Sequence, residues 1–326
     1  MHLEDVAIEG FKSFSERTDM SFQPGIGVVI GNNGVGKSNI LDALIWALSE
    51  DDLGRLRCYH QDELFFAGSR NYPAASRIRV ELNLKHGEGR NAPAVRIARE
   101  MDRNGENRLS IRDEVLGMED YRRKLTDLNL GDSLKTIIRQ EQINDILQFD
   151  PAGRFQAIRE FLGNGGPEEV SQNLLGPVDA LFQRYFSHLV PLAEVKLGLP
   201  EHNGKPGFEI EIDLPGNRRR RVHQLSGGEK SITSLALKLA LFEDLQTPFF
   251  LLDEVEPALD YTNHKSMQAF LKDVASRRQL IMITHLRSTI ELANTLHGVR
   301  TRWDGSSFMK FYFVMDERLL RLYKCC

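Results

Sequence analysis

Residues 31 to 39 read GNNGVGKSN, between a short β-branched run, IGVVI (Ile26 to Ile30), and a segment, SNILDALIWAL (Ser38 to Leu48), with helical spacing and neither glycine nor proline. The order strand, glycine loop, helix leaves few folds open. Gly31, Gly34 and Gly36 permit backbone angles closed to other residues, so successive N–H groups can turn inward around an anion. The spacing G-x-x-x-x-G-K-S is that of a phosphate loop, in which Lys37 reaches the β- and γ-phosphates and the Ser38 hydroxyl holds magnesium. The following helix turns the positive end of its dipole toward the same phosphates. Asn32, Asn33, Gly34, Val35, Gly36, Lys37, Ser38 and Asn39 are therefore the expected nucleotide-binding run. A glycine turn that binds nothing is the plain alternative.

The chain of 326 residues, 41% of them hydrophobic, can build one large or two ordinary domains around a real core. No apolar run approaches the roughly 18 residues of a membrane span, and the opening MHLEDVAIEGF carries acids where a secretory signal carries bases. A cytosolic protein without a membrane partner is expected. Cys58, Cys325 and Cys326 give neither an even framework nor metal-ligand spacing with histidine, which predicts reduced thiols and no zinc site. The net charge of −4 offers no global attraction to nucleic acid, so DNA contact must come from local patches. Arg55 and Arg57 in DDLGRLRCYH form one such patch, and Arg218 to Arg221 in PGNRRRRVHQ another. A solvated loop or hairpin is the plainer reading of either run.

Strands are predicted at LEDVAIEGF, GVVI, RIRVELNLKH (Arg77 to His86) and APAVRIARE (Ala92 to Glu100), the alternation in RIRVELNL implying a sheet with one wet face. Helices are predicted near Met118 to Leu128 and Pro151 to Leu162. The breaker cluster GNGGPEE (Gly163 to Glu169) reads as a linker. Beyond it come a helix around Val178 to Val190, a hairpin FEIEIDL-PGN-RRRRVH, a long helix EKSITSLALKLALFEDL, then PFFLLDE, a helix, QLIMITH and a further helix. Strand and helix in alternation imply a largely parallel sheet. The phosphate loop and the acidic strand end stand on opposite sides of the linker, so the two halves must share one active site.

PFFLLDE (Pro248 to Glu254) is a buried strand ending in two acids. In a phosphate-loop fold Asp253 would bind the metal and Glu254 would polarise the attacking water. LSGGEK places Leu225, Ser226, Gly227, Gly228 and Glu229 at a helix start, a second cradle of N–H groups and a hydroxyl. One nucleotide rarely needs two cradles. A dimer, in which this cradle closes on the γ-phosphate held by the other subunit, accounts for both; a plain N-cap serine is the alternative.

LSGGEK with LLDEVEPALD and ITH, together with IEGFKSF, GNNGVGKSNILDAL, LFFAGS (Leu64 to Ser69) and RQEQI (Arg139 to Ile143), resembles the ATP-binding cassette superfamily, specifically the head of a structural maintenance of chromosomes ATPase. The resemblance implies an α/β head with a mostly parallel phosphate-loop sheet, an antiparallel β subdomain and a helical lobe carrying LSGGEK. Residues 1–162 would be the N-terminal half, 163–176 the linker where coiled-coil arms would emerge, and 177–326 the C-terminal half. It further implies ATP and Mg2+, with Gln140 as the Q-loop residue at the metal beside Ser38 and Asp253, and Asp260 as the D-loop aspartate. His285 would be the switch residue at the γ-phosphate, and Arg57 an arginine that modulates turnover. Lys37, Gln140, Glu254 and His285 would then carry catalysis in an ATP-dependent homodimer acting on DNA. A kleisin-type subunit is an implied partner, and in a bacterium or archaeon the place would be the nucleoid. The usual loop proline is absent, Arg139 and Glu141 replace the glycines around Gln140, and Glu256-Pro257 stands where Asp-Ala is common. No sustained heptads occupy the place of the arms. The chain is thus either two joined half-heads or an armless relative.

Other readings of the same motifs are a RecF- or RecN-like repair ATPase and the nucleotide-binding subunit of a transporter. A third is an ATP-gated interaction module with negligible turnover, which the retained Glu254 opposes.

Overall fold

The alternating run at residue 77 forms strand Arg77–Lys85, which buries Ile78, Val80, Leu82 and Leu84 on one face and leaves Arg79 and Asn83 partly exposed on the other. It is central to an antiparallel sheet ordered Thr18–Ser21, His2–Glu9, Arg77–Lys85, Ala94–Asp102, Asn107–Ile111 and Glu114–Leu116. The computed structural model describes residues 1–87, 89, 92–162, 170, 174–202, 205–214, 218–255 and 264–314. Two compact units divide the chain: the first combines Met1–Ile137, Thr247–Asp253 and Arg278–Cys326, the second Ile138–Gln246 and Glu254–Arg277. Most of the expected linker, 163–176, lies outside the described residues, as do Cys325 and Cys326.

The first unit holds a second sheet, in which Thr295–Thr301, Ile26–Ile30, Gln279–Ile283 and Phe249–Asp253 run parallel in that order, with Ser307–Val314 antiparallel on the outer edge. IGVVI, FFLLD and QLIMI are almost entirely buried, as strands covered on both faces must be. Helix Lys37–Ala47 packs in one apolar cluster with residues of both sheets, and nine of its eleven residues are buried. That explains why its sequence is hydrophobic almost all round. Arg99, though on the apolar face of its strand, caps this helix: it donates to the carbonyls of Trp46 (2.8 Å) and Glu50 (3.2 Å) and lies 4.5 Å from the Trp46 ring centre.

Two strands of this sheet escape the sequence reading. The helix expected after QLIMITH shrinks to one turn, Arg287–Ile290, and the chain then forms Thr295–Thr301 and Ser307–Val314. Gly298 and His297 disguise the first of these strands. A Cβ at Gly298 would lie 2.3 Å from the Phe311 ring, so glycine is required for the neighbouring strand to cover it. His297 is fully buried between the rings of Phe22 (4.6 Å) and Tyr312 (5.0 Å), with Nε2 2.9 Å from the Ser21 carbonyl.

The second unit is a helical lobe with a small antiparallel sheet, Arg218–Arg221, Glu209–Leu214 and Glu194–Gly198. Helices Pro151–Leu162, Asp179–Leu189, Gly227–Asp244 and His264–Ala275 supply the lobe. Its centre is aromatic: Phe182, Tyr185, Phe186 and Phe270 are buried, and the Tyr185 hydroxyl donates to Glu243 at 2.8 Å. Among the described residues no helix is long and apolar enough to cross a membrane.

Candidate functional site

Asp253 is level with Ile283, and Ile283 with Val29, so Gly31, Asp253 and the Thr284–His285 segment all leave the first unit's parallel sheet at its carboxyl edge. Ligands of open α/β sheets bind at such an edge. Gly34 (φ +78°) and Gly36 (φ +93°) adopt the left-handed backbone expected of them. Gly31 is needed for a different reason, because a Cβ there would stand 2.5 Å from the Val299 carbonyl oxygen. Behind the loop, the Ser307 hydroxyl donates to the Val35 carbonyl and the Ser307 N–H to the Ser13 carbonyl, both at 2.7 Å.

Lys37 is only 5% exposed, and its ammonium donates to the carbonyls of Gly31 (3.0 Å) and Asn32 (3.1 Å) and stands 3.1 Å from His285 Nε2. An ammonium has donors only, so the imidazole nitrogen accepts. Thr284, fully buried, turns the chain here by accepting from the Leu286 N–H at 2.9 Å. Asn32, Asn33 and Gly34 are exposed, Val35 is buried, and Gly36, Ser38 and Asn39 are intermediate. Asp253 is buried at the strand's end, and Glu254, next in sequence, has a left-handed backbone, φ +49°. A non-glycine residue held there stores strain of the kind that collects at functional sites. Asp260 and the Glu256-Pro257 pair lie outside the described residues.

Beside the loop the structure assembles a cluster that sequence reasoning missed. Asp42, on the helix after the loop, is fully buried and takes Lys12 Nζ at 2.6 Å and Arg57 Nη2 at 2.7 Å. Arg57 Nη2 also donates to Asn39 Oδ1 (3.1 Å), whose amide nitrogen donates to the Ser13 hydroxyl (2.8 Å). The available signal was an acid inside the otherwise apolar ILDALIWAL. Cys58 adjoins this cluster, and burial pushes its thiol pKa up. Arg55 is engaged with Glu50 at 3.2 Å.

Within the second unit, Gln140 opens an exposed single turn, Gln140–Gln142, after the buried Arg139. Ser226 caps helix Gly227–Asp244 in a reciprocal box: its N–H and hydroxyl both donate to Glu229 at 2.8 Å, while the Glu229 N–H donates back at 3.4 Å. Arg220 Nη1 donates to the same carboxylate at 3.0 Å, and Arg219 pairs with Asp213 at 3.0 Å. Two arginines of the basic run are thus spent on intramolecular pairs. One polar stripe of the helix, Ser231, Ser234 and Lys238, holds the segment after Gln140. Asn144 donates to Ser231 (3.1 Å), Ser234 donates to the Ile143 carbonyl, and Lys238 meets both the Gln142 carbonyl and Asp145 (2.5 Å). Burial lowers the Lys238 pKa against the opposing pull of Asp145.

The family model described as the RecF/RecN/SMC N terminal domain matches residues 2–307. The chain belongs to this family. It is 32% identical over 219 residues to the chromosome partition protein Smc of Methylococcus capsulatus, an alignment covering 66% of this chain and 17% of that protein. This chain spans only 11% to 17% of the length of three such Smc proteins. Among solved structures, an Smc head bound to the C-winged helix domain of ScpA superposes with a TM-score of 0.86 at 27% identity, covering 98% of this chain and 100% of that one. The SMC head domain from Thermotoga maritima gives 0.72 at 30% identity, covering 97% and 100%. The mixed α/β architecture is therefore that of an SMC head.

Proposed function

We propose that this chain is an ATP-hydrolysing head of the SMC type, whose turnover serves chromosome organisation. The observation that carries the reading is the meeting of Lys37 and His285 at the carboxyl edge of the sheet, beside the strand that ends in Asp253. Lys37 and the loop amides would hold the phosphates, His285 would contact the γ-phosphate, and Glu254 would activate water. The Ser38 hydroxyl and the buried Asp253 carboxylate are hard oxygen donors of the kind magnesium takes together with substrate phosphates, and Gln140 joins them by family likeness. When bound, magnesium would neutralise charge on the phosphate oxygens.

The Ser226 to Glu229 cradle would act on the nucleotide of a second copy, and Asp260 would cross the same dimer. Hydrolysis would then separate the heads. Residues 1–162 and 177–326 would be the two halves between which arms emerge. A kleisin-type subunit is the proposed protein partner, supported by the ScpA domain on the similar head, and DNA the proposed polymer. The matched family also embraces RecF and RecN, so a repair ATPase is the second reading. Calorimetry with Mg-ATP and a phosphate-release assay test the proposal directly: an unaltered chain that neither binds nor hydrolyses ATP would defeat it.

A further inference from the structure

We infer that Asp42 is a positioning residue that presents Lys12 and Arg57 together to the anionic ligand of the phosphate loop, an inference that rests on the nucleotide-binding reading above. A carboxylate with no exposure must be compensated, and Asp42 is compensated twice. Lys12 supplies an ammonium at 2.6 Å, and Arg57 supplies a fork, Nε at 3.1 Å and Nη2 at 2.7 Å from the same oxygen. The Asp42 carboxylate thus faces an ammonium and a guanidinium, while Asp62, Glu63 and Arg103 stand along the cleft that Lys12 and Arg57 line. Lys12 (φ +49°) and Arg57 (φ +56°) both stand in the left-handed region, a strained state that persists only where the surroundings fix it. The Lys12 ammonium also donates to the Leu56 carbonyl, so three segments meet on Asp42: the turn at Lys12, the loop before Arg57 and the helix itself.

Lys12 and Arg57 lie next to the phosphate loop. Lys12, Ser13, Asn39 and Arg57 line one cleft of about 790 Å³. A Cβ at Gly36 would approach the Ser13 hydroxyl to 2.4 Å, so the cleft wall and the loop are in contact. Asn39, two residues past Lys37, bridges Arg57 to Ser13. The geometry therefore gives Asp42 more than a packing role: it decides where two cations stand relative to a polyanionic nucleoside triphosphate.

Four variants of the full chain, Asp42→Asn, Arg57→Ala, their double and Arg57→Lys, test this by ATP calorimetry and steady-state turnover. Asp42→Asn should lose at least as much kcat/KM as Arg57→Ala, on the order of tenfold, and the double variant should be no worse than Asp42→Asn alone. Arg57→Lys keeps the charge without the fork and should fall with Arg57→Ala. A purely structural acid would give multiplicative losses instead, and that result overturns the inference, as does full activity in Asp42→Asn, Arg57→Ala or Arg57→Lys. If Asp42→Asn fails to fold, Arg57→Lys decides alone, at a side chain 39% exposed. Lys37→Ala is the separate control: ATP affinity unchanged by it defeats the nucleotide reading, whereas affinity lost there with independent effects at 42 and 57 defeats only the role of Asp42.

Discussion

Lys37 Nζ and His285 Nε2 stand 3.1 Å apart although 248 positions separate them in the chain. Parallel pairing of Ile26–Ile30 with Gln279–Ile283 produces the meeting, because it brings both strands to the same edge. The Lys37 ammonium is the one point charge that the loop sequence itself provides. Lys37→Ala should therefore weaken ATP binding about 10- to 100-fold, the worth of a charge-assisted contact, while leaving the thermal midpoint nearly unchanged. Calorimetry beside a melting curve separates the two effects, and unchanged affinity would sink the phosphate-loop assignment.

Glu254→Gln should retain ATP and lose hydrolysis by about 10²- to 10⁴-fold, since general-base assistance goes while Asp253 stays. The trapped complex should sediment as a dimer in Mg-ATP. A variant that turns over at the parental rate would remove Glu254 from the mechanism.

The loop and its helix were legible because glycine spacing, a buried strand and an apolar helix are all local signals. RIRVELNLK was legible from alternation, and its observed span, Arg77–Lys85, departs from the sequence reading by one residue at the end. What was hidden depends on distant partners. Gly298 reads as a strand breaker until Phe311 is seen against it, and His297 reads as polar until Phe22 and Tyr312 enclose it. Asp42 reads as a helix surface position until Lys12 and Arg57 converge on it. The basic run read as a hairpin or a patch, and its pairing of Arg219 with Asp213 and of Arg220 with Glu229 likewise shows only in the fold.

Burial lowers the His297 pKa from 6.5 to about 4, against a weaker opposing pull from its bond to the Ser21 carbonyl. The folded state thus holds the ring neutral while the unfolded chain takes up a proton below its ordinary pKa. Stability from this group is complete above pH 6.5 and is lost as the pH falls toward 4, by about 3 kcal/mol in all. Urea unfolding at pH 7 and pH 4.5 should show the decline. An NMR titration placing the His297 midpoint near 6.5 would contradict it.

Lys238→Met should leave the Gly227–Asp244 helix intact and free the segment it holds, because the methionine keeps the stem but cannot reach the Gln142 carbonyl or Asp145. Amide exchange across residues 140 to 146 should accelerate, with no change in the core strand Phe249–Asp253. Uniform acceleration through the whole lobe would mean that Lys238 supports packing in general and not this segment.

Ser226→Arg separates binding from catalysis most sharply. Ser226 caps its helix through Glu229, so its loss should cost about 1 kcal/mol of stability, a deficit small enough to leave the chain folded. Lys37 and the phosphate loop belong to the other compact unit and are unaltered in sequence, so the monomer's ATP affinity should stay near the parental value. A bulky cation in the cradle should nevertheless block its closure on a second copy's nucleotide, abolishing ATP-dependent dimerisation and turnover together. The comparison requires three measurements on one preparation: calorimetry for affinity, sedimentation in Mg-ATP for assembly, and phosphate release across a range of protein concentrations. Parental hydrolysis by Ser226→Arg at every concentration would refute a shared site, because a site complete within one chain has no need of the partner's serine.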